Sequence, residues 1–227
     1  MCTSYEANPN DARWDTFSLF PRPDFEYKPE IYKDYFAPIF RRGGDVFETV
    51  PASFGIVPRR HIPPGLKVFD TMNARSETVD QKRSFSCAWN NLQLCLIPCK
   101  TFFEPNYETG KPVRWKIGTV DGELAIAGLW RQWKEADGSL SLAFTMLMVN
   151  ADEHPLMSRF HKPGDEKRSV VIVPPTEYGD WLSCKSTDEA RSFLQLYPVE
   201  AMLAEPHPLP PRKPKIGSDE GDQQQLL

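Results

Sequence analysis

The residue pair at the start of the chain offers the most specific chemistry in the sequence. Cys2 follows Met1 directly. Its side chain is small, so removal of Met1 is expected and leaves an N-terminal cysteine. Such a residue carries two nucleophiles on one carbon skeleton: an α-amine with a pKa of about 7.7–8.0 and a thiol near about 8.5. An aldehyde meeting this pair forms a Schiff base with the amine, and the thiol then closes a thiazolidine ring. The internal Cys87, Cys95, Cys99 and Cys184 have no free amine and cannot do this. An incidental Met-Cys start is the plain alternative. Five cysteines are an odd number for a disulfide framework, and without paired CxxC spacing and with only four His no zinc site is expected. No metal and no cofactor is expected.

Charge adds a direction. The chain of 227 residues has a formal net charge of −4 and a pI of about 5.7, which argues against strong non-specific nucleic-acid binding. The distribution is uneven. Between Arg41 and Arg83 eight basic residues face five acidic ones, whereas Met1 to Asp34 holds four basic and seven acidic. The first stretch suits a phosphate-binding face and suits an ordinary solvated surface equally well. No basic start with an apolar run marks a signal peptide, and no apolar stretch approaches the roughly 18–20 residues of a membrane span. A cytoplasmic protein with no membrane partner is expected.

These residues need elements to hold them. Thr49 to Val57, Leu92 to Pro98 with Phe102-Phe103-Glu104, Val113 to Ile117, Leu124 to Trp130, Leu140 to Val149 and Val170 to Val173 read as strands. Val120-Asp121-Gly122-Glu123 reads as a turn and Asp137-Gly138 as a hairpin signal. Ser84 to Asn91 and Thr176 to Leu182 read as helices, and Ser186-Thr187-Asp188-Glu189 caps a helix to about Leu196. Residues 1–40 show no clean period. The sum is an α+β fold: one domain over 1–203, a curved, barrel-like antiparallel sheet with flanking helices. Residues 204–227, Pro-rich and then polar, read as a disordered tail.

Four short motifs, in order, carry a resemblance. They are Asn73-Ala74-Arg75-Ser76-Glu77-Thr78; Cys95-Leu96-Ile97-Pro98 with Phe102-Phe103-Glu104; Ala127-Gly128-Leu129-Trp130; and His154-Pro155-Leu156-Met157 with Phe160-His161. Together with Cys2 they resemble the SOS-response-associated peptidase family, whose members shield abasic sites by cross-linking to them. The resemblance covers most of residues 1–185. It implies that Asn73 orients Cys2 or the opened sugar, that Glu104 moves protons at the Schiff base and ring, and that His161 protonates the departing ring oxygen. It implies phosphate contacts at Arg75 and Arg83. Singly, these residues also suit a turn cap, a solvent-facing strand end, a structural histidine and surface charge.

The chain departs from the family pattern in places. Thr3-Ser4 stands where the family has Gly-Arg, which removes a DNA-contacting Arg. Phe54-Gly55 replaces Trp-Gly and keeps an aromatic face that could stack on a base. Lys100-Thr101 replaces Asp-Gly, Pro105 replaces a Trp, and Lys162 to Lys167 form an inserted loop before Arg168. The expected function is covalent capture of abasic sites in single-stranded DNA through Cys2. Lyase-like Schiff-base chemistry and autoproteolytic loss of Met1 go with it, in a monomer that associates with the nucleoid when bound. The alternatives are a thiol peptidase acting on proteins, with Cys2 as nucleophile and His161 as base, and a non-covalent single-stranded DNA-binding module.

Overall fold

The computed structural model describes residues 2–9 and 14–210. The chain begins with two short strands, β1 (Ser4–Glu6) and β2 (Glu30–Tyr32), and a hairpin of β3 (Phe36–Gly43) and β4 (Val46–Phe54). Gly44 turns that hairpin at φ +66°, a conformation open to glycine. Then follow β5 (Asn73–Arg75), helix α1 (Ser86–Asn90), β6 (Leu94–Cys99), β7 (Thr101–Asn106) and β8 (Val113–Thr119). The long strands β9 (Leu124–Lys134) and β10 (Leu140–Asn150) form the second hairpin. The last elements are β11 (Arg168–Val170), β12 (Ile172–Val173), helices α2 (Tyr178–Ser183) and α3 (Thr187–Ser192), and β13 (Met202–Pro206).

Alternation of side chains explains the layers. In β6 the residues Cys95, Ile97 and Cys99 join one apolar cluster while Leu94 and Leu96 join another, as the period of a strand requires. A strand buried on both faces must lie between a filled interior and an outer cover. The interior is that of a closed barrel: β10, β4, β3, β6 and β9 pair in that order, and β9 pairs back to β10. Ala37, Ile39, Ala52, Phe54, Ile126, Phe144 and Met146 fill it. The outer cover includes Trp89 of α1 and Tyr178 and Trp181 of α2, with the Trp181 indole donating to the Cys95 carbonyl at 2.9 Å. Gly128 lets β9 and β10 approach closely: a Cβ there would lie 2.5 Å from the Thr145 carbonyl oxygen.

A second sheet runs in the order β13-β8-β7-β1-β2. The chain passes from barrel to second sheet at Lys100, whose N–H donates to the Glu6 carbonyl at 2.9 Å. The two sheets form one domain of the expected α+β, barrel-like class. Most pairs are antiparallel, but β10 pairs in parallel with both β4 and β5. The chain reaches β5 by a long connection rather than a hairpin, so nothing forces reversal.

Two expectations change in detail. The boundary at 203 falls inside β13, which pairs with β8 from Met202 to Pro206, so the sheet continues into the stretch read as tail; residues 211–227 lie outside the described residues. Ser186 caps its helix through the Glu189 N–H at 3.1 Å, but that helix ends at Ser192 rather than near Leu196. Residues 1–40 hold β1, β2 and half of β3, whose short runs show no period. Among the described residues no helix is long and apolar enough to cross a membrane.

Candidate functional site

The site grows from the end of β7. Phe102, Glu104 and Asn106 share one face of that strand, so Glu104 is turned inward beside a fully buried Phe. Strand β1 pairs with β7 through Tyr5–Phe102 and Glu6–Thr101. Continuing β1 backwards carries Cys2 toward Glu104. Cys2 is buried, and its thiol donates to the Ser4 carbonyl at 3.3 Å. Burial pushes that thiol well above the usual cysteine range, and the nearby Glu104 charge adds to the rise. A neutral Sγ–H, not a thiolate, is its resting form.

His161 reaches the same place from the far end of the chain. Its N–H donates to the Pro105 carbonyl at 2.8 Å, the neighbouring Phe160 bridges to Asn106, and the Asn106 amide donates to the Arg159 carbonyl at 3.1 Å. These bonds tie the 159–161 segment to the tip of β7. His161 adopts φ +65°, a left-handed conformation costly for a side-chain-bearing residue. The result sets its Nε2 2.9 Å from Glu104 Oε2, both side chains buried. The Arg168 N–H donates to Nδ1 at 3.4 Å, so Nε2 is the ring nitrogen that faces the carboxylate.

Asn73 approaches from the barrel. It opens β5, whose parallel pairing with β10 fixes it opposite Met146. Its amide N–H donates to the Cys2 carbonyl at 2.7 Å. Its other atom, Oδ1, is buried with no donor among the described residues. The structure therefore brings Cys2, Asn73, Glu104 and His161 together from four separate segments. Asn73 opens onto a cavity of about 260 Å³ that Arg75, Lys82 and Arg83 also line. Another cavity of about 270 Å³ lies along the same stretch of β7, lined with Thr3, Ser4, Phe103 and Arg114. Arg114 lies over the Phe103 ring, reaches the Ser4 hydroxyl at 3.4 Å and pairs with Glu30.

The expected contact residues divide. Arg75 and Arg83 are exposed on the rim of the first cavity. Phe54 is not a stacking platform: it is fully buried, stacked on Phe144 with centroids 5.1 Å apart and met edge-on by Tyr5. Its place in β4, two residues after the inward Ala52, puts it in the barrel. The sequence reading also passed over an ion-pair group behind the rim. Buried Arg168 holds Glu77 through Nη1 at 2.7 and 2.9 Å and Glu166 through Nη2, and Glu166 also meets Arg75. Burial works against the charge on Glu77, but Arg168 outweighs it and keeps the carboxyl below its usual range. Glu77 belongs to the Asn-Ala-Arg-x-Glu-Thr motif, which was the available signal. Among the described residues no three His, Cys, Asp or Glu side chains cluster as a metal site.

Comparison with known proteins follows the same line. The chain matches the sequence profile of the SOS response associated peptidase (SRAP) family over residues 1–208. It is 30% identical to the abasic site processing protein YobE of Bacillus subtilis over 152 residues, which are 63% of this chain and 65% of YobE, just under two thirds of that relative's length. A solved structure from Bordetella bronchiseptica superposes with a TM-score of 0.81 at 33% identity, covering 92% of this chain and all of that one. A Bacteroides thetaiotaomicron protein shares the fold, with a TM-score of 0.61 at 20% identity over 77% of this chain and 78% of its own. The match over nearly the whole described chain makes it a member of the SOS response associated peptidase (SRAP) family.

Proposed function

We propose that this protein captures abasic sites in single-stranded DNA by bonding covalently to them through Cys2. The observation that carries the reading is the bond from Asn73 to the Cys2 carbonyl, with the buried Glu104–His161 pair beside the thiol. The name of the relative YobE, an abasic site processing protein, points to the same substrate. Hydrolysis of the Met1–Cys2 bond consumes one water and frees the α-amine. The ring-opened abasic sugar presents an aldehyde. The amine adds to its carbon, and loss of one water gives the Schiff base. Sγ then adds to the same carbon, the C=N electron pair returns to nitrogen, and the thiol proton leaves as the ring closes. Amine first, thiol second is the order that a neutral, buried thiol favours, because the thiolate is the reactive form. In this reading Glu104 takes the thiol proton, and His161 delivers one to the sugar oxygen. The unfilled Asn73 Oδ1 suits the freed amine or a hydroxyl of the opened sugar.

Single-stranded DNA is the favoured form, because an abasic site there has no complementary strand to repair from. The protein would act as a monomer in the cytoplasm, at the nucleoid when on DNA. A peptidase acting on other proteins is less well supported. In that reading His161 would be the base on the thiol, whereas its Nε2 faces Glu104 and the Cys2 thiol donates to the Ser4 carbonyl. The test is a denaturing gel of purified protein mixed with an abasic single-stranded oligonucleotide. The expected result is a slow band with wild type and none with Cys2→Ala. An equally strong stable band with Cys2→Ala moves the chemistry to another residue.

A further inference from the structure

We propose that Glu166, from the loop that follows His161, is an internal competitor for the DNA backbone: it occupies Arg75 as a phosphate would. The inference rests on the DNA-binding reading above and adds a residue that sets affinity. Glu166 Oε1 is held twice, by the Arg168 guanidinium and by the Asn150 amide at 3.1 Å. That leaves Oε2 for Arg75, whose Nη1 is 3.2 Å away. The loop itself is pinned. Lys167 Nζ donates to the His161 and Lys162 carbonyls at 3.2 and 3.1 Å, and the Lys167 N–H donates to Asp152 at 2.8 Å. Glu166 is therefore a fixed anion, not a wandering surface acid. Arg75 is 51% exposed at its side chain and sits on the rim of the cavity that Asn73 opens onto.

Two consequences follow from charge alone. A phosphate approaching Arg75 meets a guanidinium that already has a partner, and a carboxylate that Arg168 prevents from swinging away. A guanidinium neutralised from within also releases fewer of the cations condensed on the DNA when it meets a phosphate. Arg83, by contrast, makes no ion pair among the described residues and offers its full charge.

The experiment measures equilibrium binding of an intact oligothymidine strand, without an abasic site, across a salt series. Wild type, Glu166→Gln, Arg75→Ala and the double variant are compared, with thermal unfolding as a control. Glutamine keeps the size and the acceptor for Asn150 and Arg168 but removes the charge. Glu166→Gln should tighten binding roughly two- to fivefold at low salt, the range of an exposed ion pair. It should also steepen the salt slope toward the value of about 0.7 per phosphate contact on single strands. Arg75→Ala should abolish most of both gains. Weaker binding by Glu166→Gln at unchanged fold would make Glu166 a positioning residue for Arg75 and overturn the proposal. Identical affinity and slope overturn it too. A wild type that binds no strand sinks both this inference and the DNA reading, whereas binding by wild type with an indifferent Glu166→Gln sinks the inference alone.

Discussion

Around Cys2, partners are buried and held through the backbone. Asn73 donates to a carbonyl, and Pro105 and Asn106 fix the His161 segment to the tip of β7. On the rim a few residues away, the exposed Arg75, Glu166 and Glu77 form ion pairs anchored on the buried Arg168. Buried neutral hydrogen bonds hold one geometry and ignore salt, while exposed ion pairs are screened over about 8 Å at physiological ionic strength. On the proposed function, the centre would position reacting atoms and the rim would meet phosphate. Mutations should separate the two: central ones change the rate of bond formation, and rim ones change affinity and its salt dependence.

The largest separation is expected at the Glu104–His161 pair. His161→Ala should slow cross-linking of a pre-formed abasic strand by about 10²–10⁴-fold, the usual worth of acid–base help, with affinity for an intact strand unchanged. The two side chains stand 2.9 Å apart; if their proton transfers are coupled, adding Glu104→Gln should cost little more than the slower single change. Single-turnover time courses decide this, and multiplied losses would mean independent roles.

The two extreme cysteines sharpen the contrast. Cys2 is buried with its thiol pushed up, while Cys87 is exposed on α1. Because the raised pKa keeps the thiol protonated, iodoacetamide at pH 8 should label Cys87 more than about tenfold faster than Cys2. Labelling of Cys2 should accelerate as pH rises further. Peptide mapping of the labelled protein reads this, and equal rates would leave the amine-first order without its physical basis.

How much of this was legible in the sequence follows the same divide. The central four residues lie in motifs whose order along the chain could be read, and strands β6 to β10 announce themselves by long apolar runs. The first strands do not, because three residues are too few to show alternation. Phe54 was misjudged although β4 carried the signal: a period of two from Ala52 points it inward. The Glu166–Arg75 pair was hidden for another reason. It depends on how a six-residue insertion folds back across the rim, and no local pattern encodes that.

Smaller effects test each side in turn. Asn73→Ala removes one neutral hydrogen bond, worth about 1 kcal/mol or roughly fivefold, and should appear in the cross-linking rate rather than in affinity for an intact strand. Arg83→Ala should leave the cross-linking rate at saturating strand alone and flatten the salt slope by about 0.7. A rate loss there, or an affinity loss at Asn73, would blur the boundary between centre and rim.

The central claim is that Cys2, with its own amine, is the point of attachment. Mass analysis of the digested protein–DNA adduct tests it most directly. The account predicts one modified peptide, beginning at Cys2 without Met1, with a mass equal to peptide plus opened sugar fragment less one water. A cross-linked chain that retains Met1, or an adduct on a lysine, would contradict it.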